Sequence, residues 1–408
     1  MNLPLFLLFL LAVACLFYPL GRRLFFPVGL MLVVVGLVIG QMATALAIDT
    51  GLRWYHFQDL LVELLLPLLL FRSALELDIE ALRRHALTIF LLVLPLMLFM
   101  LVITACVLYF GIAHPAGFPW LAAFLAAALL AATDLDMIPR WLDRAGYHDI
   151  ATILEGESIA SDTTAVVLFT LLLGMATMPE DGDSILLVDV SMAFGSALVF
   201  GLLAGTVMGL LQRWLLAHMP VASLQVIASI IVLYATYLLA DAVLGGSAMI
   251  AVVVLGLLAL RPRSGQGNVN LETLRTFWTL PATLAEYIIY LLAGVTITLT
   301  MFADQWLAML LGILAVLAGR MIAVMILLPA GQKLAVSAVS NVRERFLLGW
   351  GGGIRSVFTL AMALSLPLTI DYWYTVQSIA YGVALFGLFV QGGSLSAWLA
   401  LGKPDPAG

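Results

Sequence analysis

The side chains best placed to do chemistry lie in one stretch, AATDLDMIPRWLDRAGYHDIATILEGESIASDTTAVVL (131–168). It sets Asp134, Asp136, Glu155, Glu157 and Asp162 inside or at the rim of two otherwise apolar segments. A charged side chain at bilayer depth costs about 2.5–3.5 kcal/mol on insertion scales, so such residues mark ion or proton pathways. Helical geometry separates these acids. At about 100° per residue, Glu155, Ser158 and Asp162 fall within about 60° of one another, whereas Glu157 and Ser161 point the other way. Asp162 and Ser158, with Asp134 and the backbone at Thr133, form the expected cation site. Glu157 is expected to pair with a membrane arginine, Arg355 or Arg320, because buried charges need partners.

The chemistry follows from a carboxylate in an apolar setting. Desolvation raises its proton affinity, while a bound cation lowers it. Proton and cation then compete for the same oxygens, and alternating access turns that competition into exchange. Carboxylate, hydroxyl and carbonyl oxygens suit Na+, Li+ or K+, and suit divalent ions as well.

The elements that must position these residues are membrane spans. The chain has 408 residues, is 63% hydrophobic and only 10% charged, and its mean hydropathy is +1.13. Soluble domains carry roughly 25% charged residues, so an aqueous globule is excluded. Cys15 and Cys106 both lie in apolar runs and support neither a disulfide framework nor a zinc site. No cofactor is expected. The N-terminal apolar run has no basic residue before it and Arg22 and Arg23 after it, the reverse of a signal peptide; it reads as the first span.

Apolar runs long enough to cross a bilayer fall near residues 3–20, 26–47, 58–76, 86–110, 119–138, 150–175, 190–211, 221–241, 243–260, 277–299, 304–329, 346–366 and 372–400. The count depends on a break at 241–246. With the N-terminus outside and the C-terminus inside, 14 of the 18 Lys plus Arg fall in inner loops. Only Arg53 falls in an outer loop; Arg72, Arg320 and Arg355 lie within spans. No soluble domain is expected, and the charge runs at 261–275 and 331–345 read as solvated loops. The five histidines map to loops or span ends, and His148 reads as a solvated loop residue.

Two spans are interrupted. The fifth breaks around 133–139, and the twelfth carries WGGGIR (350–355) within an apolar run. They stand seven spans apart, as two inverted six-span halves with a linking helix near 190–211 require. Paired interrupted helices point to a transporter site at the midplane.

These motifs resemble the NhaP/NHE-type sodium/proton exchangers. LEGESIASDTTAVVLF (154–169) is similar to the family's LEGES-xx-ND-xx-xVxF signature, and ATD (132–134) to its ATDP motif. LLPLLLFRSALELD (65–78), TFWTLPATLAEYIIYLLAGVTI (276–297), the membrane arginine Arg320 and WGGGIRSVFTLAMALSLP (350–367) follow in the family's order. The resemblance implies a polytopic all-α fold of about 13 helices and a multi-pass place in the cell (inner) membrane. It also implies a homodimer, with a dimerisation part near 1–80 and 221–300 and an ion-translocating part near 86–175 and 304–400. By it, the ion ligands are Asp162, Asp134, Ser158 and Thr133, with Glu157 as the arginine's partner, and the activity is exchange of Na+, K+ or Li+ for protons.

The sequence departs from the pattern at five places. Ser161 stands for Asn, Leu135 for Pro, Asp136 for an apolar residue, Glu286 for Asn, and Arg72 for an acid. The extra acids either add a proton-carrying site or pair with bases, Asp136 with Arg140 and Glu286 with Arg72. Other readings are a cation channel or conductance effector on the same fold, an exchanger of a divalent cation, and an intramembrane aspartyl protease using Asp134 and Asp162. The last lacks its GxGD-type motif.

Overall fold

The computed structural model describes Ala12 and residues 28–46, 60–76, 89, 95–112, 117–133, 142–143, 146–176, 187–259, 271–331, 342–355, 357–370 and 372–395. The regular elements among them are all helical. The α-helices are α1 (Val28–Ala45), α2 (Leu66–Glu76), α3 (Met97–Gly111), α4 (Trp120–Leu129), α5 (His148–Ala176), α6 (Leu187–His218) and α7 (Ala222–Leu238). They continue as α8 (Ala248–Ala259), α9 (Leu271–Thr296), α10 (Leu299–Gly331), α11 (Val342–Gly351), α12 (Val357–Leu364) and α13 (Trp373–Phe386). Six helices among the described residues are long and apolar enough to cross a membrane, making this a multi-pass membrane protein. The first expected span lies almost wholly outside the described residues.

Two compact units emerge. One comprises Met1–Gln58, Glu80–Ala165 and Tyr287–Gly408, the other Asp59–Ile79 and Val166–Glu286. In the first unit, α10 packs against α3 and α13, α3 against α4, and α12 against α13. Helix α1 comes close to the last turns of α9 because Gly36, Gly40 and Gly294 leave no side chain between them; a Cβ on Gly40 would stand 2.7 Å from the Val295 carbonyl.

In the second unit, α6 packs on α8 through Gly201, Gly205 and Gly209, spaced by four so that they share one helix face. A Cβ on Gly201 would stand 2.7 Å from the Ser247 carbonyl. Small-residue contacts of this kind suit a membrane, where apolar burial gives helices little reason to associate. The break expected at 241–246 is present. A π turn (Leu239–Val243) ends α7, and Gly245 reverses the chain at a φ of +61°.

The two interrupted spans, both in the first unit, have separate causes. Helix α4 ends at Leu129 although its sequence is mostly Leu and Ala, among the best helix formers. Its terminal carbonyls are instead taken by side chains distant in sequence. Thr359 Oγ1 donates to Leu129 (3.2 Å), Arg355 Nη1 to Ala132 (3.3 Å), and Ser158 Oγ to Thr133 (2.6 Å). Tertiary donors thus override propensity. The helix expected over 119–138 is therefore ten residues long, and residues 134–141 lie outside the described residues.

The span expected at 346–366 is two short helices, α11 and α12, joined by a turn at 352–355. The C-terminal carbonyls of α11 are also capped from elsewhere. Arg320 donates to Leu348 from Nε and Nη2 (3.3 and 3.2 Å), and Gln391 Nε2 donates to Trp350 (3.2 Å).

Candidate ion-binding site

Helix α5 carries the site because its polar residues sit one turn apart in an otherwise helix-forming apolar run. Asp162, Ser158 and Thr133 come together. The Thr133 N–H, freed where α4 stops, donates to Asp162 Oδ1 at 3.0 Å. Ser158 Oγ donates to the Thr133 carbonyl at 2.6 Å and stands 3.5 Å from Asp162 Oδ2. A hydroxyl has one proton, so the shorter contact is the hydrogen bond and the longer one leaves the Ser158 lone pairs beside the carboxylate. All three residues are buried: Thr133 at 2% exposure, Asp162 at 4% and Ser158 at 8%. Thr133 Oγ1 is buried with no hydrogen-bond partner among the described residues. Carboxylate, hydroxyl and backbone oxygens therefore converge where α4 gives out, and hard oxygens of this kind suit an alkali cation. Asp134 and Asp136 lie outside the described residues.

The other face of α5 is an ion pair. Arg320 holds Glu157 with both nitrogens, Nη1 to Oε1 at 2.5 Å and Nη2 to Oε2 at 2.7 Å, and both residues are 1% exposed. A bidentate, fully buried pair is the geometry in which Arg most strongly fixes a carboxylate. Gly352 makes room for it, since a Cβ there would collide with the Arg320 guanidinium. Arg355, the other arginine expected as a partner for Glu157, goes elsewhere. Its Nη1 reaches the carbonyls of Ala131 and Ala132, and its Nε and Nη2 have no hydrogen-bond partner among the described residues. The reason is position: Arg355 closes the 352–355 turn and meets the end of α4, whereas Arg320 on α10 meets α5.

Ser161 is 3% exposed and shares with Glu157, Arg320, Met97 and Met100 the lining of a small cavity. Glu155, on the same α5 face as Asp162, is exposed. His148, at the start of α5, pairs with Asp143 in an exposed setting. In the second unit, Arg72 Nη1 bonds Glu286 Oε1 at 3.2 Å and Arg72 Nε bonds Glu76 Oε1 at 3.0 Å. Asp136–Arg140 lies outside the described residues.

Two residues that cap the interrupted helices were not singled out from the sequence. Thr359 caps α4, and Gln391 caps α11. A glutamine inside an apolar span was the available signal for the second. A threonine there is too ordinary to notice.

The family model described as "Sodium/hydrogen exchanger, transmembrane" matches residues 9–401. The chain belongs to the sodium/hydrogen exchanger family. Among curated relatives of this exchanger, NhaH of Halobacillus aidingensis, a Na+/H+ antiporter, is 32% identical over 95% of this chain and 94% of its own. The low-affinity Na+/H+ antiporter NhaS1 of Synechocystis is 31% identical over 92% of this chain and 69% of its own. The exchanger's fold also matches that of the sodium proton antiporter MjNhaP1 from Methanocaldococcus jannaschii. That likeness has a TM-score of 0.76 and 20% identity, covering 98% of this chain and 97% of the other.

Proposed function

We propose that the chain is a secondary antiporter that exchanges Na+ for protons by alternating access, with cation and proton competing for Asp162. The observation that carries this reading is the buried Asp162 carboxylate, held by the Thr133 N–H of an interrupted helix with Ser158 beside it. We assign the cation ligands to Asp162, Ser158, Thr133 and Asp134, with the Glu157–Arg320 pair as a support that takes no proton during the cycle. Family membership and the names of the curated relatives support Na+ as the cation; K+ and Li+ have the same ligand chemistry.

The same reading holds that the spans form inverted repeats with the N-terminus outside and the C-terminus inside the cell membrane. Two copies would associate through residues near 1–80 and 221–300, leaving 86–175 and 304–400 to carry the ion. The distribution of Arg and Lys supports the orientation.

Competition gives the pH dependence its sign. Below the pKa of the site carboxylate, protons occupy the cation's oxygens, so the KM for Na+ rises about tenfold per pH unit. Above that pKa, KM is independent of pH. The test is cation-driven dissipation of a preset pH gradient in proteoliposomes, scanning Na+, Li+, K+ and Ca2+, with Asp162→Asn as control. Proton movement by a monovalent ion in wild type alone is the expected result. Current without proton movement would replace the exchanger by a channel, and a response to Ca2+ alone would make the cargo divalent.

A further inference from the structure

Helix α13 does not run on regularly past Phe386. It passes into a π turn, Gly387–Gln391, closed by the Gly392 N–H to the Gly387 carbonyl. Such turns insert one residue into a helix and frequently accompany functional sites. Here both ends of the turn face the 352–355 interruption, in the same unit. Gln391 is 2% exposed and donates from Nε2 to the Trp350 carbonyl at 3.2 Å. Its amide also fills the space beside Gly353, where a Cβ would stand 2.5 Å from Nε2. At the other end, a Cβ on Gly387 would stand 3.3 Å from the Arg355 amide nitrogen. The interruption is thus seated on the π turn by one hydrogen bond, one side-chain contact and one close backbone approach.

That seat matters because of what Arg355 does next. Its backbone begins where the π turn places it, and its Nη1 spans to the carbonyls of Ala131 and Ala132 at 3.5 and 3.3 Å. Thr133, the next residue, donates its N–H to Asp162 and accepts at its carbonyl from Ser158 Oγ. The Arg355 bonds are already long, so a small shift of the turn loses them. We infer that Gln391 is a positioning residue for the carboxylate site: from the π turn it fixes the 352–355 interruption, and through Arg355 it fixes the Thr133 backbone that holds Asp162. The inference rests on the antiporter reading only for its transport readout.

The test pairs amide hydrogen exchange with Na+ kinetics on the full chain in lipid. Gln391→Leu keeps volume and removes the amide. It is expected to speed exchange both in the 350–355 peptide and at the Thr133 amide, and to raise the KM for Na+ roughly three- to tenfold. Ser394→Ala, which removes the Trp350 Nε1 bond but leaves the Trp350 carbonyl capped, is expected to leave the Thr133 amide unchanged. Gly353→Ala displaces the Gln391 amide from the other side and serves if Gln391→Leu fails to fold; the same two amide changes are expected. Faster exchange confined to 350–355 overturns the inference, because Gln391 then caps only its own neighbour. Unchanged exchange at both places overturns it as well. If wild type moves no protons in exchange for Na+, the antiporter reading fails, while exchange at Thr133 still decides the role of Gln391.

Discussion

Glu157 and Asp162 stand five residues apart on one helix and have been given opposite kinds of surroundings. Glu157 meets a full counter-charge, with both oxygens held by Arg320 and both side chains 1% exposed. Asp162 accepts from a backbone N–H, with the Ser158 oxygen beside it and the Arg355 guanidinium within Coulombic reach. A carboxylate with both oxygens held by a guanidinium offers a cation no ligand. One that accepts from a backbone N–H beside a hydroxyl oxygen belongs to a set of hard ligands that a cation or a proton would share. The two arginines differ in their hydrogen bonds: Arg320 grips an acid with both Nη atoms, whereas Arg355 gives Nη1 to the carbonyls just past α4. A bidentate charge pair builds the frame, and a backbone donor with a hydroxyl oxygen builds the site.

The comparison breaks most completely at Asp162. Asp162→Asn keeps the shape and removes the competition, so Na+-driven proton movement is expected to fall to that of empty liposomes while the protein stays folded by size-exclusion profile. The converse change strikes the frame. Arg320→Gln leaves Glu157 buried without its partner, a situation that costs about 3–5 kcal/mol, read as a large fall in the thermal midpoint in detergent. Replacing both, Glu157→Leu with Arg320→Met, is expected to recover much of that loss because no lone charge remains. It does not recover the two bonds from Arg320 to Leu348. Equal destabilisation of single and double variants would mean that the guanidinium acts as a cap on α11 more than as a partner for Glu157.

Gly352→Ala probes the same pair from the backbone. The added methyl falls on the guanidinium, and overpacking of this kind costs about 1–3 kcal/mol. Ser158→Ala acts on the site instead. It removes the bond to the Thr133 carbonyl and one ligand oxygen, and is expected to raise the KM for Na+ about tenfold, equivalent to ~1.4 kcal/mol. Its thermal midpoint should fall by less than that of Gly352→Ala, although a buried carbonyl loses its donor. A stability loss as large as that of Gly352→Ala would move Ser158 from site to frame.

How far the sequence carried these assignments differs residue by residue. The two faces of α5 were legible because helical periodicity is local: 158 with 162 and 157 with 161 follow from spacing alone. Which arginine serves Glu157 was not, since Arg320 and Arg355 are both lone cations in apolar spans and only packing distinguishes them. The end of α4 shows the limit most plainly. WLAAFLAAAL contains nothing that stops a helix, and the stop comes from Thr359, Arg355 and Ser158, which lie far away in the chain. The interruption at 352–355 was visible in its glycines, but its seat on Gln391 was not, because a π turn leaves no signature in composition.

The smallest effect is expected in the second unit, where Arg72 and Glu286 form a pair of a third kind. Their side chains are 11% and 15% exposed, and Arg72 also holds Glu76. Glu286→Gln therefore leaves the guanidinium with a carboxylate, and the loss should stay within about 1 kcal/mol, as for pairs with solvent access. A flat thermal midpoint together with an unchanged pH profile of transport would assign Glu286 to packing. A flat midpoint with a displaced pH profile would instead mean that Glu286 takes up a proton during the cycle. Burial alone would then not separate frame from site, and the contrast drawn on α5 would hold for that helix only.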